Sequence, residues 1–401
     1  MPIDVLVVGA GPAGAVAATV LARAGVNVLI VDRETFPRPK LCGDTVNPGT
    51  LAALRTLGLS GRIEAQGLAV DGMVVTGESG VTIRGRYPDG LVGRALRRSD
   101  LDWILLSQAM QAGAQFEPGV NVRRAIVDES RPHGSAGVVT GVRTTNGAIH
   151  APVVVAADGR RSTIAFGLKL AGHPTRPRRW AIGAYFENAS GTTSMGEMHV
   201  RRRRYIGVAP VPGGLTNVCV VVEQGHWRQS PADLLKDALS RERMLRDRFA
   251  AARVVQPPAV LGPLAIDAAR TSIDGLLLAG DAAGFIDPMT GDGLRFAVRG
   301  GELAAAAALE ALAHGWMGVH SRQEAARRRS FASKWRFNRA LRSLVASPGA
   351  IRLAGFGARL APGMVERIVA RAGDCDLAGE ALDQVQGERR VDHRVRIRST
   401  P

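Results

Sequence analysis

Short apolar runs separated by a glycine-rich turn open the chain and predict a strand–helix–strand unit. Val5–Val8 is a run of four apolar residues, typical of a strand that is buried on both faces. The stretch 15–23 has the composition of a helix, and Gly25 is placed to end it. A second apolar run, 26–31, predicts another buried strand that closes with Asp32. The pattern is that of a doubly wound α/β domain.

The turn between the first strand and the helix has the spacing Gly9-x-Gly11-x-x-Gly14. Gly9 allows the tight turn, Gly11 lets a pyrophosphate approach the backbone, and Gly14 lets the helix pack closely on the strand. The amino end of the helix then offers free N–H groups to the phosphates. Asp32 is suited to accept hydrogen bonds from the two ribose hydroxyls of an adenosine. We therefore expect a dinucleotide here, and this motif alone does not separate FAD from NAD.

Two later segments also run from a strand into a polar turn. The apolar run 275–280 leads directly into Asp281, and the loop 288–293 precedes an alanine-rich helix that starts near Leu294. Upstream, the predicted strand 151–157 ends in Asp158 and Gly159, and Arg98 opens a further helix.

Composition and charge narrow the class of protein. The 401 residues are 46% hydrophobic, enough for more than one compact domain. The net charge is +16, but only four of the 52 basic residues are lysines and no nucleic-acid-binding motif accompanies them, so we expect no nucleic-acid partner. Three cysteines without a CxxC spacing indicate a reducing compartment. The eight histidines lack metal-ligand spacing, and we expect no metal site.

The uncharged run 5–22 approaches the length of a membrane span, but glycines and a proline interrupt it and no positive segment precedes it. We therefore expect neither a signal peptide nor a spanning helix, and a cytoplasmic location. The basic run 201–204 is interpreted as a solvated strand end, with an electrostatic entry for an anionic substrate as the alternative.

Taken in order, the glycine turn, the Asp158-Gly159 pair and the Gly280-Asp281 pair resemble the motifs of the glutathione-reductase-like flavoproteins of the p-hydroxybenzoate hydroxylase and geranylgeranyl reductase superfamily. The resemblance covers roughly residues 1–320 and implies FAD in an extended pose. The FAD-binding residues that it implies are Gly9, Gly11, Pro12, Ala13, Gly14, Asp32, Arg33, Lys40, Cys42, Arg98, Asp158, Gly280, Asp281, Gly291 and Gly293.

The same resemblance implies that the loop 288–293 lies against the isoalloxazine ring. Reduced flavin carries negative charge near N1 and the C2 carbonyl, and the glycines ahead of the helix can present N–H groups and the helix dipole to that charge. Such a contact favours hydride acceptance. The catalytic residues implied are Cys42, Pro288, Gly291 and Gly293.

The segment 37–43 resembles the P-x-x-K-x-C-G-G segment of geranylgeranyl reductases, with Asp44 in place of the second glycine. Cys42 is either a small apolar residue in a turn or a flavin-side residue that protonates or positions the substrate. We expect a flavin-side role on the strength of the resemblance. A thiol pair of the glutathione reductase kind, which needs two cysteines beside the flavin, is not predicted.

A second likeness concerns Tyr205 to Pro210, which resembles the G-Y-x-W-x-F-P strand of the same reductases. Tyr205 and Pro210 are therefore expected against the substrate. Gly207 and Ala209 stand where those reductases have tryptophan and phenylalanine, which indicates a reshaped cavity. The W-x-W-x-I-P motif of flavin-dependent halogenases is absent, so halogenation is disfavoured.

The predicted architecture interleaves two units and a tail. Residues 1–70, 95–165 and 262–320 form the FAD-binding domain, and 71–94 with 166–261 form an antiparallel sheet for the substrate. Residues 321–401 are predicted to be a helical, arginine-rich region. Within it, the amphipathic segment 350–360 either caps the active site or makes peripheral contact with a membrane, and the tail from Val391 is expected to be loose.

The leading function hypothesis is a reductase, in which reduced FAD delivers hydride to a carbon–carbon double bond of a small lipophilic, isoprenoid-like substrate. Because there is no second GxGxxG unit, NAD(P)H or a ferredoxin-like carrier would act as a transient reductant. The alternative is a monooxygenase that hydroxylates or epoxidises an aromatic or natural-product substrate through a flavin C4a-hydroperoxide. A third hypothesis is a non-catalytic flavin-carrying interaction protein. The oligomeric state is left open.

Overall fold

The computed structural model describes residues 2–78, 81–130, 137–175, 178–225, 228–346, 362–376 and 378. The strands, in chain order, are β1 Val5–Val8, β2 Val28–Asp32, β3 Thr45–Val46, β4 Leu68–Val70, β5 Gly72–Thr76, β6 Thr82–Arg86, β7 Gly93–Ala95, β8 Gln115–Pro118, β9 Val122–Asp128, β10 Val138–Thr144, β11 Gly147–His150, β12 Val153–Ala156, β13 Ala171–Gly172, β14 Arg179–Glu187, β15 Met195–Arg201, β16 Arg204–Val211, β17 Leu215–Glu223, β18 Arg253–Val254, β19 Ala259–Leu261, β20 Asp267–Ala268, β21 Ser272–Ile273 and β22 Leu276–Leu278. The α-helices are α1 Pro12–Arg23, α2 Pro48–Thr56, α3 Gly61–Gln66, α4 Arg98–Gln111, α5 Thr163–Gly167, α6 Pro231–Arg241, α7 Gly293–His314, α8 Val319–Ala346 and α9 Pro362–Gly373.

Six strands form a mostly parallel sheet in the order β21–β22–β12–β1–β2–β8. Val5 of β1 lies opposite Val28 of β2 on one side and Val153 of β12 on the other. The central strands are apolar throughout because both faces are covered. Helices α1, α4 and α7 pack on one face, and the meander β9–β10–β11 covers the other. The predicted doubly wound sheet is confirmed, with the meander as its second cover.

The second sheet has eight strands in the order β18–β14–β17–β16–β15–β5–β6, with β19 also beside β14. Among the described residues of this second sheet, the strand pairs are antiparallel as predicted, with one exception. β5 and β15 run parallel, with Gly72 opposite Met195. β5 enters the sheet from the earlier segment 71–94, so no hairpin turn fixes its direction relative to β15. The two units are interleaved as expected, while the domain boundaries themselves stay a prediction.

The two faces of this sheet have different partners. One face packs under α6, where Ile206 and Val220 meet Leu235. The other face carries Ala181, and it packs against Phe285 close to the end of the parallel sheet. Small residues of this sheet, Ala181 and Cys219, line a cavity that lies between the two sheets.

The C-terminal part is helical where the structure describes it. Val365 and Val369 of α9 pack with Tyr87, next to β6. The predicted amphipathic segment 350–360 and the tail from Val391 lie outside the described residues. Within the described ranges, no helix combines the length and the apolar character that a bilayer crossing requires.

Candidate active site

The turn after β1 has the geometry that a pyrophosphate requires. Gly9 has a φ of +101°, and a Cβ there would lie 2.5 Å from the carbonyl oxygen of Ala157, so glycine is required. A Cβ on Gly14 would lie 1.9 Å from the Gly9 oxygen. At Gly11, in contrast, the heavy atom nearest to an added Cβ is Nη2 of Arg38, at 3.6 Å. Gly11 therefore leaves open space beside the amino end of α1.

Asp32 ends β2 at the same edge of the sheet. Its Oδ2 accepts a hydrogen bond from the Ala10 N–H at 2.8 Å, and its Oδ1 accepts one from the Glu34 N–H at 2.9 Å. The backbone thus orients the carboxylate, which lines the cavity together with Arg33. A carboxylate has about four acceptor positions, so two remain for ribose hydroxyls.

Cationic side chains form the next part of the wall. Arg98, at the start of α4, donates two hydrogen bonds to the buried Asp102, at 2.8 and 3.0 Å. Nη1 of Arg38 lies 3.3 Å from the same carboxylate. Arg160, which also lines the cavity, donates to Asp281 at 3.0 Å. Three guanidinium groups therefore face two carboxylates.

Lys40 adds a fourth cation to this wall. Burial, followed by the charges of Arg160, Arg98 and Arg38, lowers the pKa of Lys40 to about 8. The lysine remains mostly protonated at neutral pH. The excess of positive charge suits a diphosphate.

Several buried polar atoms at the cavity lack a hydrogen-bond partner within the described chain. They are Nε and Nη1 of Arg160 and Oδ1 of Asp158. Burial raises the pKa of Asp158 to about 6, although hydrogen bonds from Ser162 and the backbone oppose that rise. Because buried polar groups in folded proteins almost always have partners, these atoms point to a polar ligand in the cavity. The phosphates, hydroxyls and carbonyls of FAD fit them.

The segment 280–293, which follows the last strand of the parallel sheet, forms another part of the cavity wall. Gly280 has a φ of +60°, and a Cβ there would lie 2.9 Å from Cβ of Ala13, so this turn packs directly on the first glycine turn. Asp287 caps the turn Pro288–Thr290 by accepting a hydrogen bond from the Met289 N–H at 3.0 Å. Gly291 follows with a φ of +71°, and α7 begins at Gly293. The amino end of α7 is thereby brought to the cavity.

These elements enclose a cavity of about 530 Å³, within the usual range for ligand sites. Most of the residues expected from the sequence line it together: Gly9, Gly11, Pro12, Ala13, Asp32, Arg33, Lys40, Cys42, Arg98, Asp158, Gly280, Asp281, Pro288, Gly291 and Gly293. Gly14 stands behind this lining and acts through helix packing.

Tyr205 and Pro210, which were expected against the substrate, are not among the residues that line this cavity. The Tyr205 hydroxyl is buried and donates to Oδ1 of Asp287 at 2.7 Å, and Arg179 donates to Oδ2 of the same carboxylate at 2.8 Å. Tyr205 therefore supports the capped turn at Pro288 from behind. Pro210 lies on β16 opposite Thr216.

The structure adds residues that the sequence did not indicate. Cys219 of β17 lines the same cavity as Cys42, which corrects the expectation that no second cysteine lies beside the flavin. Strand pairing, which short motifs do not report, brings it there. Both thiols are free, and burial raises the pKa of Cys219 to about 12, so it is held as a thiol. Arg38 and Arg160 were likewise missed, because their partners are distant in sequence.

The basic run 201–204 forms a hairpin rather than a fully solvated strand end. Arg202 and Arg203 are exposed at the turn between β15 and β16. Arg201 points back and donates to Glu242 at 2.5 Å and to the Thr76 hydroxyl at 3.1 Å.

Comparison with known proteins finds a match to the family described as FAD binding domain over residues 2–333. The chain is 32% identical over 327 residues to menaquinone reductase of Mycobacterium tuberculosis, covering 75% of each protein. It is 28% identical over 347 residues to digeranylgeranylglycerophospholipid reductase of Methanosarcina mazei, covering 83% of this chain and 80% of that one. It is 29% identical to conditioned medium factor receptor 1 of Dictyostelium discoideum over 77% of this chain, and it spans 63% of that longer protein.

Solved structures share the fold. A geranylgeranyl bacteriochlorophyll reductase-like protein from Thermoplasma acidophilum superposes with a TM-score of 0.78 at 23% identity, covering 94% of this chain and 95% of that one. A flavin-dependent brominase superposes with a TM-score of 0.80 at 20% identity, covering 97% and 100%. At such identities the likeness establishes the fold and does not choose between reduction and halogenation.

Proposed function

Because the chain belongs to the FAD-binding-domain family of flavin-dependent oxidoreductases, we propose that it reduces a carbon–carbon double bond in a lipophilic, isoprenoid-like substrate. Two relatives are named as reductases, one of menaquinone and one of a digeranylgeranylglycerophospholipid. The observation that carries the proposal is that Cys42, within the reductase-like segment, and the loop at Pro288 line one cavity.

Bound FAD supplies hydride-transfer chemistry at this site. Gly9, Gly11 and the amino end of α1 would hold its phosphates, and Asp32 would hold its ribose. Gly291, Gly293 and the helix dipole of α7 would stabilise negative charge on the ring.

Apolar side chains line one part of the cavity wall, and this part suits an apolar substrate. Leu264, Phe285 and Cys219 line it, and Ala181 contributes a small side chain from β14. The second sheet packs over this part of the cavity, and exclusion of water there would protect a reduced cofactor from side reactions. Asn217 donates from its Nδ2 to the Cys42 carbonyl at 2.7 Å and so keeps Cys42 at the wall.

The electron donor is proposed to be NAD(P)H or a ferredoxin-like carrier that visits transiently. What supports this is the single GxGxxG unit, which leaves no second doubly wound site for a resident nicotinamide. We further propose a cytoplasmic enzyme that meets its substrate at a membrane surface, because a prenylated substrate resides in the bilayer.

Anaerobic single-turnover measurements test the function. The FAD-loaded enzyme is reduced with dithionite, freed of excess reductant and mixed with menaquinone or a geranylgeranyl lipid in detergent. The expected result is flavin reoxidation together with a product whose prenyl chain has gained two hydrogen atoms, measured by mass spectrometry after any quinol has been oxidised back to the quinone. The matched control is the enzyme without substrate. An enzyme that leaves these substrates unchanged, yet inserts an oxygen atom into an aromatic substrate when air is admitted, would instead be a monooxygenase.

A further inference from the structure

Asp44 occupies an unusual place behind the cavity wall. Its neighbours Cys42, Gly43 and Thr45 line the cavity, whereas the Asp44 side chain is buried, with 1% of the residue exposed. Its φ is +55°, in the left-handed region that favours glycine. A buried carboxyl on a backbone that suits glycine is the kind of outlier that motivates a functional hypothesis.

Two strands of the second sheet hold this turn. Tyr185 of β14 and Asn217 of β17 are directly opposite each other, so their side chains extend from the same face. The Tyr185 hydroxyl donates to Oδ2 of Asp44 at 2.6 Å, and Asn217 donates to the Cys42 carbonyl. The same pair of strands therefore fixes both the Asp44 carboxyl and the part of the wall that carries the Cys42 thiol.

The surroundings of Asp44 favour a proton on its carboxyl. Oδ1 has no hydrogen-bond partner within the described chain. Burial raises the pKa of Asp44 to about 7, although the hydrogen bond from Tyr185 and the charge of Arg98 oppose that rise. The titratable and charged groups that interact with Asp44 are Tyr185 of β14, Cys219 of β17, and Arg98 and Asp102 of α4. Cys42 and Arg97 act on its partner Tyr185. The carboxyl can therefore hold or release a proton near neutral pH.

We propose that Asp44, held by Tyr185, stores the proton that the substrate reduction consumes and delivers it by way of the Cys42 thiol, two residues before it in the same turn. The inference rests on the proposed function, because hydride addition to one carbon of a double bond leaves the other carbon in need of a proton. The Cys42 S–H bond breaks as the C–H bond forms. The Asp44 O–H bond then breaks as the thiol is restored, and water reprotonates Asp44. Arg98 lines the same cavity as Cys42.

Asp44→Gly is a sharp test, because glycine suits this backbone better than aspartate and the variant is expected to fold. In anaerobic single turnover with menaquinone at pH 6, saturation of the prenyl double bond, measured by mass spectrometry after reoxidation of any quinol, should slow by about tenfold or more. The wild-type rate should fall as the pH rises through about 7, and that fall should be absent from Asp44→Gly and Asp44→Asn. FAD binding and reduction by dithionite should be unchanged in both variants.

The pH dependence of protein stability tests the protonation of Asp44 independently of turnover. Since the pKa of Asp44 is raised by folding, the folded wild type binds more protons than the unfolded chain between about pH 4 and 7. The urea midpoint of the wild type should therefore fall, relative to that of Asp44→Asn, as the pH rises through this window.

A wild type that reduces menaquinone with the same rate and pH profile as Asp44→Gly overturns the role of Asp44 and leaves the proposed function standing. A wild type that reduces no prenyl substrate at any pH overturns the proposed function and the role of Asp44 with it.

Discussion

Lys334 in α8 forms a buried ion pair with Asp292, the residue before α7, with Nζ 3.0 Å from Oδ1 and both side chains 1% exposed. The same Nζ lies 3.2 Å from Asp374 and donates to the carbonyl oxygens of Arg371 and Ala372, at 2.7 and 2.8 Å. One lysine thus ties the end of α9 to the loop that reaches the flavin cavity. The C-terminal helices are part of the support of the active site.

Lys334→Met should destabilise the protein strongly, because Asp292 stays buried after its cation is removed. Breaking a buried pair in this way costs about 3–5 kcal/mol. Urea unfolding of the FAD-loaded enzyme measures the cost. Arg328→Met on the same helix is the control, since it removes an exposed pair with Glu324 and should change stability by less than about 1 kcal/mol. Equal midpoints for Lys334→Met and the wild type would contradict the structural role of the pair.

Two substitutions in the first glycine turn should affect different properties, FAD binding in one case and stability in the other. Gly11→Ala should fold normally but bind FAD at least about tenfold more weakly, since its Cβ clashes with no protein atom and occupies the space for the pyrophosphate. Gly14→Ala should lower the stability of the protein even without FAD, because its Cβ would overlap the Gly9 oxygen. Thermal unfolding of the flavin-free proteins and flavin fluorescence titration separate the two effects. Normal FAD affinity in Gly11→Ala would place the phosphates elsewhere.

How far the sequence predicts the site depends on whether the residues are neighbours in the chain. The glycine turn and Asp32 lie within one strand–helix–strand unit, so their spacing alone predicts their meeting in space. Arg160 meets Asp281 from 121 residues away, and no local pattern predicts that pair. A strand motif predicts that Tyr205 lies against the substrate, but the Tyr205 hydroxyl donates a hydrogen bond to Asp287 and the residue does not line the cavity. Motif spacing therefore predicts which residues meet within the first strand–helix–strand unit, whereas strand register, which no short motif reports, decides the contacts of the second sheet.

The affinity for FAD should weaken as the pH rises above neutrality. The pKa of Lys40 is lowered to about 8, so the lysine is charged below that pH and loses its charge above it. A diphosphate binds the charged form better, and the dissociation constant should rise between pH 7 and 9, by at most about tenfold per pH unit for one proton. Lys40→Met should bind FAD more weakly at pH 7 and lose this dependence. Lys236→Met, at an exposed position on α6, should retain it. An unchanged pH profile in Lys40→Met would show that another group titrates.

A large side chain at Gly207 of β16 is expected to narrow the cavity on the substrate side and to leave the FAD site unchanged. It lies opposite Cys219, which lines the cavity, so its missing side chain would extend from the same face. The heavy atom nearest to an added Cβ is the Cys219 oxygen, at 3.8 Å, which is ordinary contact. A Cβ therefore fits at position 207 without a clash, and we expect Gly207→Trp to fold and to bind FAD.

The indole of Gly207→Trp should nevertheless occupy space that a substrate needs, and kcat/KM for menaquinone should fall by at least about tenfold, corresponding to about 1.4 kcal/mol of lost transition-state stabilisation. Thr82→Trp, at an exposed position of β6 in the same sheet, is the control and should leave kcat/KM unchanged. If Gly207→Trp keeps wild-type kcat/KM as well, the substrate does not contact this face of the sheet.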